Sequence, residues 1–139
     1  MHHLHGQFNH WAILVSALLL WFLGAIWYSP ALFARPWMAM LGITPDKTKK
    51  NKSMIAGMIS SFIGDLILSL VLAHLILWSG AQTWGWGAFI GFLVWIGFFA
   101  APNFPQGIYE GRPFKLFLIN NGYWLVGLMV SGVLLAVWR

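Results

Sequence analysis

Apolar positions in this chain come as long unbroken runs, where a soluble helix or strand would show a recurring apolar stripe or strict alternation. Four stretches of at least 18 residues carry no more than one charge each: 11–28, 53–78, 84–101 and 116–138. Segments such as Ala17-Leu18-Leu19-Leu20-Trp21-Phe22-Leu23 are apolar on every side, which excludes barrel strands and leaves helices, because only a helix satisfies its own backbone in lipid. About 20 residues at a 1.5 Å rise cross the roughly 30 Å hydrocarbon core. The two shorter spans must therefore stand nearly upright or borrow flanking residues. The predicted fold class is an all-α membrane protein, one domain of four transmembrane helices over residues 1–139.

Composition agrees. Of 139 residues, 60% are hydrophobic, 17% aromatic and 8% charged, whereas soluble domains carry about a quarter charged residues. A disordered chain, a base-reading nucleic-acid binder and, with no cysteine, a disulfide scaffold are excluded. The first span is expected to be retained: it lacks a basic region before it, and Trp27-Tyr28-Ser29-Pro30 stands where a small-residue cleavage site would lie.

The net charge of +5 is distributed unevenly. Arg35, Lys47, Lys49, Lys50 and Lys52 follow the first span, and Arg112 and Lys115 follow the third. By the positive-inside rule both loops are expected in the cytoplasm and both termini outside. Trp11, Trp27, Tyr28, Trp37, Trp78, Trp84, Trp86 and Trp138 lie near span ends and read as headgroup-level anchors. Trp21, Trp95 and Trp124 sit deeper, face lipid or need partners for their indole N–H groups.

The loops after spans one and three share an order: aromatic, proline, aromatic, then Arg35-Pro36-Trp37 in one and Arg112-Pro113-Phe114 in the other. This fits two helical hairpins related by a pseudo-two-fold axis along the membrane normal. Chance accounts for it almost as well, since interfacial prolines and arginines are expected there.

Asn9-His10-Trp11-Ala12-Ile13, Gly24-Ala25-Ile26-Trp27-Tyr28-Ser29-Pro30, Phe33, Pro36-Trp37-Met38 and Leu41-Gly42 resemble the opening of the bacterial domain-of-unknown-function 1761 family. Glu110-Gly111-Arg112, Lys115-Leu116-Phe117-Leu118-Ile119-Asn120 and Gly122-Tyr123-Trp124 extend the likeness from about Asn9 to Trp138. The resemblance implies a small four-helix bacterial inner-membrane protein and no particular activity. The histidine-rich Met1-His2-His3-Leu4-His5 departs from the family pattern.

Asp65 is the one acidic residue inside a span, near the middle of its segment. An ionised carboxylate at that depth is unfavourable by at least roughly 2.5 kcal/mol, so it should face a bundle interior or interface. Gly57, Ser61, Gly64, Leu68 and Ser69 fall on the same side at helical spacing, a small and polar strip suited to close helix approach. Two readings stand: a protonated or hydrogen-bonded Asp that joins two helices, which is favoured, or a proton or cation relay.

Depth counting offers Trp95 and Tyr123 as donors to Asp65, with Asn120 and Asn121 about 10 Å nearer the cytoplasm. Asn120, Tyr123, Gly127 and Ser131 share one face, which is expected to meet the Asp65 strip, as helix glue more readily than as a substrate site. Gly87-Ala88-Phe89-Ile90-Gly91 is a G-x-x-x-G match permitting close contact within or between chains. Pro102-Asn103-Phe104-Pro105 is expected to break the third helix, leaving room for a short interfacial or re-entrant segment.

His2, His3, His5 and His10 are candidate metal ligands, although a terminal segment supplies neither convergence nor a supporting shell. His74, nine residues beyond Asp65, is out of phase with it. No nucleophile set, phosphate loop, H-E-x-x-H run or carboxylate pair is present, so no enzyme and no cofactor are expected. The expected partners are the lipid bilayer and either a second copy or another membrane protein, with no nucleic acid. The role expected is a structural or partner-binding membrane subunit; the alternative is a small homo-oligomeric transporter or channel using Asp65.

Overall fold

Unbroken apolar runs become helices, and the ends of those helices are set by polar caps and left-handed glycines. The computed structural model describes residues 9–29, 34–41 and 50–138. Its elements are α1 (His10–Trp27), α2 (Ala34–Leu41), α3 (Lys50–Ser79), α4 (Trp84–Val94), a wide π turn (Trp95–Ala100), α5 (Ala101–Tyr109) and α6 (Phe114–Val137). Four helices are long and apolar enough to cross a membrane: His10–Trp27, Ile55–Ser79, Trp84–Tyr109 and Phe114–Val137. The protein is an all-α membrane protein, as the hydropathy pattern predicts.

The Asn9 side chain opens α1 by accepting from the Trp11 and Ala12 amides at 3.0 and 3.2 Å. Thr83 does the same for α4 through the Trp86 amide at 3.4 Å. Gly80 and Gly111, at φ 78° and 68°, turn the chain out of α3 and α5 in a conformation that a Cβ would disfavour.

The expected break at Pro102-Asn103-Phe104-Pro105 does not occur, and the helix that begins at Trp84 continues to Tyr109. Each proline lacks a donor and presses its ring on the carbonyl four residues back. The strain is taken up just upstream, where the chain widens over Trp95–Ala100 and the Ala101 amide bonds to the Ile96 carbonyl, five residues back. A widened turn keeps the backbone paired where lipid would not tolerate a gap.

Helix packing follows the small residues. A Cβ on Gly87 would collide with the Gly132 carbonyl oxygen, one on Gly91 with the Leu128 carbonyl oxygen, and one on Gly132 with the Gly87 carbonyl oxygen. Bare glycines thus seat α4 backbone to backbone on α6. Helix α1 packs between α3 and α6, with Ser16 against Ser69 and Gly127 under Leu20. Towards the end holding the start of α1 and the ends of α3 and α6, the interior is apolar, built from Ala12, Ile13, Leu72, Ala73, Ile76 and Leu135. At the opposite end, carrying Arg112 and Lys115 and called here the basic end, Trp27 and Tyr28 reach the start of α6. The loop likeness that suggested paired hairpins includes residues 30–33, which lie outside the described residues.

Candidate functional site

The polar side chains of the membrane interior lie between α1, α3 and α6. On α3, Asp65 shares its side with Ser69, Leu72, Ala73 and Ile76, all buried, and this register turns the carboxyl group inward until it is 4% exposed. Its Oδ2 has no hydrogen-bond partner among the described residues. One turn further along, the Ser69 and Ser16 hydroxyls share a hydrogen bond of 2.8 Å. Leu20, one turn on from Ser16 along the antiparallel α1, is thereby level with Asp65. Tyr123 donates its hydroxyl to the Leu20 carbonyl at 2.7 Å and lies within electrostatic range of Asp65.

This geometry corrects the expected pairing of Asp65 with Trp95 and Tyr123. The Trp95 indole donates to the Asn121 carbonyl at 2.7 Å, because the α4 glycines hold that helix on α6. On the face of Asn120, Tyr123, Gly127 and Ser131, the hydrogen bonds of Asn120 and Tyr123 go to Tyr28 and to the Leu20 carbonyl rather than to Asp65, and bare Gly127 lets Leu20 settle against α6. Ser131, 1% exposed, also has an Oγ with no partner among the described residues.

The strip around Asp65 divides in two. Asp65 and Ser69 are buried, whereas Gly57, Ser61 and Gly64, together with Ser60, are exposed. A Cβ on Gly57 or Gly64 would touch nothing within 4 Å among the described residues. The Ser60 hydroxyl is satisfied within its own helix by the Gly57 carbonyl at 3.1 Å. The other two small-residue strips, Gly87 with Gly91 and Gly127 with Ser131, are used inside the chain. Trp21, one of the deep indoles, donates across to the Met58 carbonyl at 3.1 Å.

A second polar feature opens at the basic end. A cleft of about 560 Å³ lies between α5 and the first turns of α6 and includes Tyr28, Asn103, Gln106, Asn120 and Asn121 in its wall. Tyr28 donates to Asn120 Oδ1 at 2.7 Å, Asn103 Nδ2 to Asn121 Oδ1 at 3.1 Å, and Asn121 Nδ2 to the Phe117 carbonyl at 3.1 Å. Burial pushes the Tyr28 phenol up to about 12, so it stays a donor. At the mouth Glu110 accepts from Gln106 and from Arg112, both at 2.9 Å. Sequence reasoning placed Asn120 and Asn121 at one depth but did not bring Asn103 to them. The available signal was Asn103 beside two prolines, a polar side chain at the limit of an apolar run.

Among the described residues no three His, Cys, Asp or Glu side chains converge as metal ligands. His2, His3 and His5 lie outside the described residues, and His10 is exposed at the start of α1. His74 bonds the Leu70 carbonyl at 2.7 Å and stands edge-on to Trp78.

Fold and site together define a four-helix membrane protein with a buried carboxylate, a polar cleft at one end and one small-residue helix face that no described residue covers. The chain belongs to the family described as "Protein of unknown function (DUF1761)", which matches residues 11–136. No curated protein and no solved structure matches it.

Proposed function

We propose that the protein is a self-associating structural subunit of the bacterial inner membrane, without enzymatic activity, in which α3 of one copy docks on α3 of a second. The observation that carries this reading is the exposed face of Gly57, Ser60, Ser61 and Gly64. Small residues let helix backbones approach closely in lipid, where no hydrophobic force drives association. The same chain already uses that device between α4 and α6. A second copy is the occupant favoured because a two-fold axis along the membrane normal sets each small residue against its own counterpart. The basic loops would lie in the cytoplasm and both termini outside.

The chain has no cysteine, so Ser61→Cys and Ile63→Cys can be compared in native membranes under mild oxidation. Ile63 is exposed and lies roughly 200° round α3 from Ser61. A disulfide-linked dimer from Ser61→Cys alone is expected; equal crosslinking at both positions, or none at Ser61→Cys, sinks the proposal.

A second reading is favoured by Asp65 Oδ2, which has no hydrogen-bond partner among the described residues: a proton or cation site approached from the basic end. Reconstituted vesicles in which Asp65→Asn leaves proton and cation flux unchanged from the unmodified chain would dismiss it.

A further inference from the structure

The cleft at the basic end is absorbed neither by the helix packing nor by the α3 face. Its wall has two chemistries. Phe114 and Phe117 stack at 5.6 Å, and Phe104 stands edge-on to them at 6.1 and 5.5 Å. The same cleft is lined by amide side chains and by the Glu110–Arg112 ion pair. Asn120 accepts from Tyr28, but its Nδ2 donates to nothing among the described residues. A half-open ion pair, an amide donor with no partner among the described residues and an aromatic wall together make a built recess for a molecule with a charged head and an apolar body.

Depth identifies where that molecule comes from. Trp84 and Trp86 begin a helix that continues to Tyr109, and tryptophans favour the headgroup level. At 1.5 Å per residue Asn103 is roughly 28 Å beyond Trp84, at the far boundary of a hydrocarbon core about 30 Å thick. The cleft therefore opens where the headgroups of one leaflet lie, and the exposed Phe104 and Ile108 continue its apolar side along the helix.

We infer that this cleft binds a zwitterionic headgroup, an ammonium joined to a phosphodiester, presented by a lipid of the leaflet at the basic end. The Arg112 guanidinium and the Asn120 amide nitrogen supply donors for the phosphate, and the Glu110 carboxylate accepts from the ammonium. One cation and one anion in the wall match a head of zero net charge. An anionic head satisfies Arg112 but brings no cation for Glu110, and an uncharged glycosyl head leaves both charges to water. Free phosphoethanolamine offers the same chemistry without tails.

The test uses the full chain in detergent, read by native mass spectrometry with added phosphatidylethanolamine, phosphatidylglycerol of the same chain length, or either lipid with free phosphoethanolamine as competitor. Phosphatidylethanolamine is expected to bind more tightly by on the order of tenfold, the ratio one charge-assisted contact supplies. Glu110→Gln should remove the preference, whereas Arg112→Gln should weaken binding of both lipids without removing it. Both side chains are partly solvent-accessible, at 36% and 49%, so these variants should keep the fold, which retained helical circular dichroism checks. Lys115→Gln, a neighbouring exposed charge outside the cleft wall, should leave the preference intact. Competition by phosphoethanolamine at lipid-like concentration supports the headgroup site and moves its ligand to solution; failure to compete supports the lipid source. Equal binding of the two lipids, or a preference that survives Glu110→Gln, overturns the inference. The outcome is independent of the Ser61→Cys crosslink, so self-association and headgroup binding stand or fall separately.

Discussion

Two glycines on one helix, two residues apart, should respond oppositely to the same methyl group. A Cβ on Gly87 meets the Gly132 carbonyl oxygen well inside contact distance, with the Ala136 Cβ at 2.7 Å and the Gly132 carbonyl carbon at 2.8 Å. Two of these three atoms are backbone, so no side chain can rotate away and α4 must lift from α6. Overpacking of this kind destabilises by typically 1–3 kcal/mol, and about 3 is expected here because the neighbour is a helix backbone. A Cβ on Gly85 meets nothing within 4 Å among the described residues, so Gly85→Ala should be neutral or stabilise by up to roughly 1 kcal/mol through helix propensity. The double variant Gly87→Ala with Gly132→Ala should fall short of the sum of its parts, since both methyls force the same separation. Unfolding in increasing sodium dodecyl sulfate, followed by circular dichroism, measures the unmodified chain, the three single variants and the double variant. Equal stability of Gly85→Ala and Gly87→Ala would refute the claim that glycine contact seats α4 on α6.

Three further outcomes are expected. A double-mutant cycle on Ser16→Ala and Ser69→Ala should give a coupling near 0.6 and at most about 1.7 kcal/mol, the range of interhelical hydrogen bonds in membranes, and zero coupling removes the 2.8 Å bond from the account. Burial raises Tyr28 from 10.0 to about 12, so between those pH values the folded protein keeps a proton that the unfolded chain releases. The stability Tyr28 contributes is therefore whole below pH 10 and lost as pH climbs towards 12. Tyr28→Phe should flatten the fall of the unfolding midpoint across that window, and an unchanged slope counts against it. Finally, Asp65→Cys in native membranes should resist a water-soluble thiol reagent that labels Lys115→Cys, because the position is 4% exposed; ready labelling would displace the structural reading in favour of transport.

Length and hydropathy made the four spans legible, because bilayer thickness reads only those two properties. Rotation of each span about its own axis was not legible. Helices α1, α3 and α6 are apolar nearly all round, so no stripe declares which side faces protein. Asp65 and Ser69 do face inward as polarity demands, yet Gly57, Ser61 and Gly64, less than a quarter turn away on average, face out. What decides is α1: Ser16 holds Ser69, and Trp21 reaches the Met58 carbonyl, so the inner side of α3 is centred past Asp65 rather than on the glycines. Depth counting correctly brought Tyr123 level with Asp65 but could not see that a carbonyl of α1 stands closer to its hydroxyl. The prolines misled for a different reason. Rules drawn from water-soluble helices allow a break at Pro102-Asn103-Phe104-Pro105, whereas in lipid a broken backbone has no solvent to satisfy it, and a π turn is the smaller perturbation.

Polarity is graded along the interior. From the ends of α3 and α6 the packing begins with Leu72, Ala73, Ile76 and Leu135, reaches the Ser16–Ser69 pair, then Asp65 level with Tyr123, and finishes at Tyr28, Asn120 and the cleft. A bundle held together only by shape would not need this order, since leucines at the same sites avoid burying Asp65 Oδ2 and Ser131 Oγ, which have no hydrogen-bond partner among the described residues. Buried polar groups that run from the Ser16–Ser69 pair to the cleft, against apolar packing of Leu72, Ala73, Ile76 and Leu135 at the other end, favour contact with the basic end alone. The headgroup cleft and the buried carboxylate would then belong to one polar half of the molecule, with Tyr28 and Tyr123, their rings 5.9 Å apart, as the link between them.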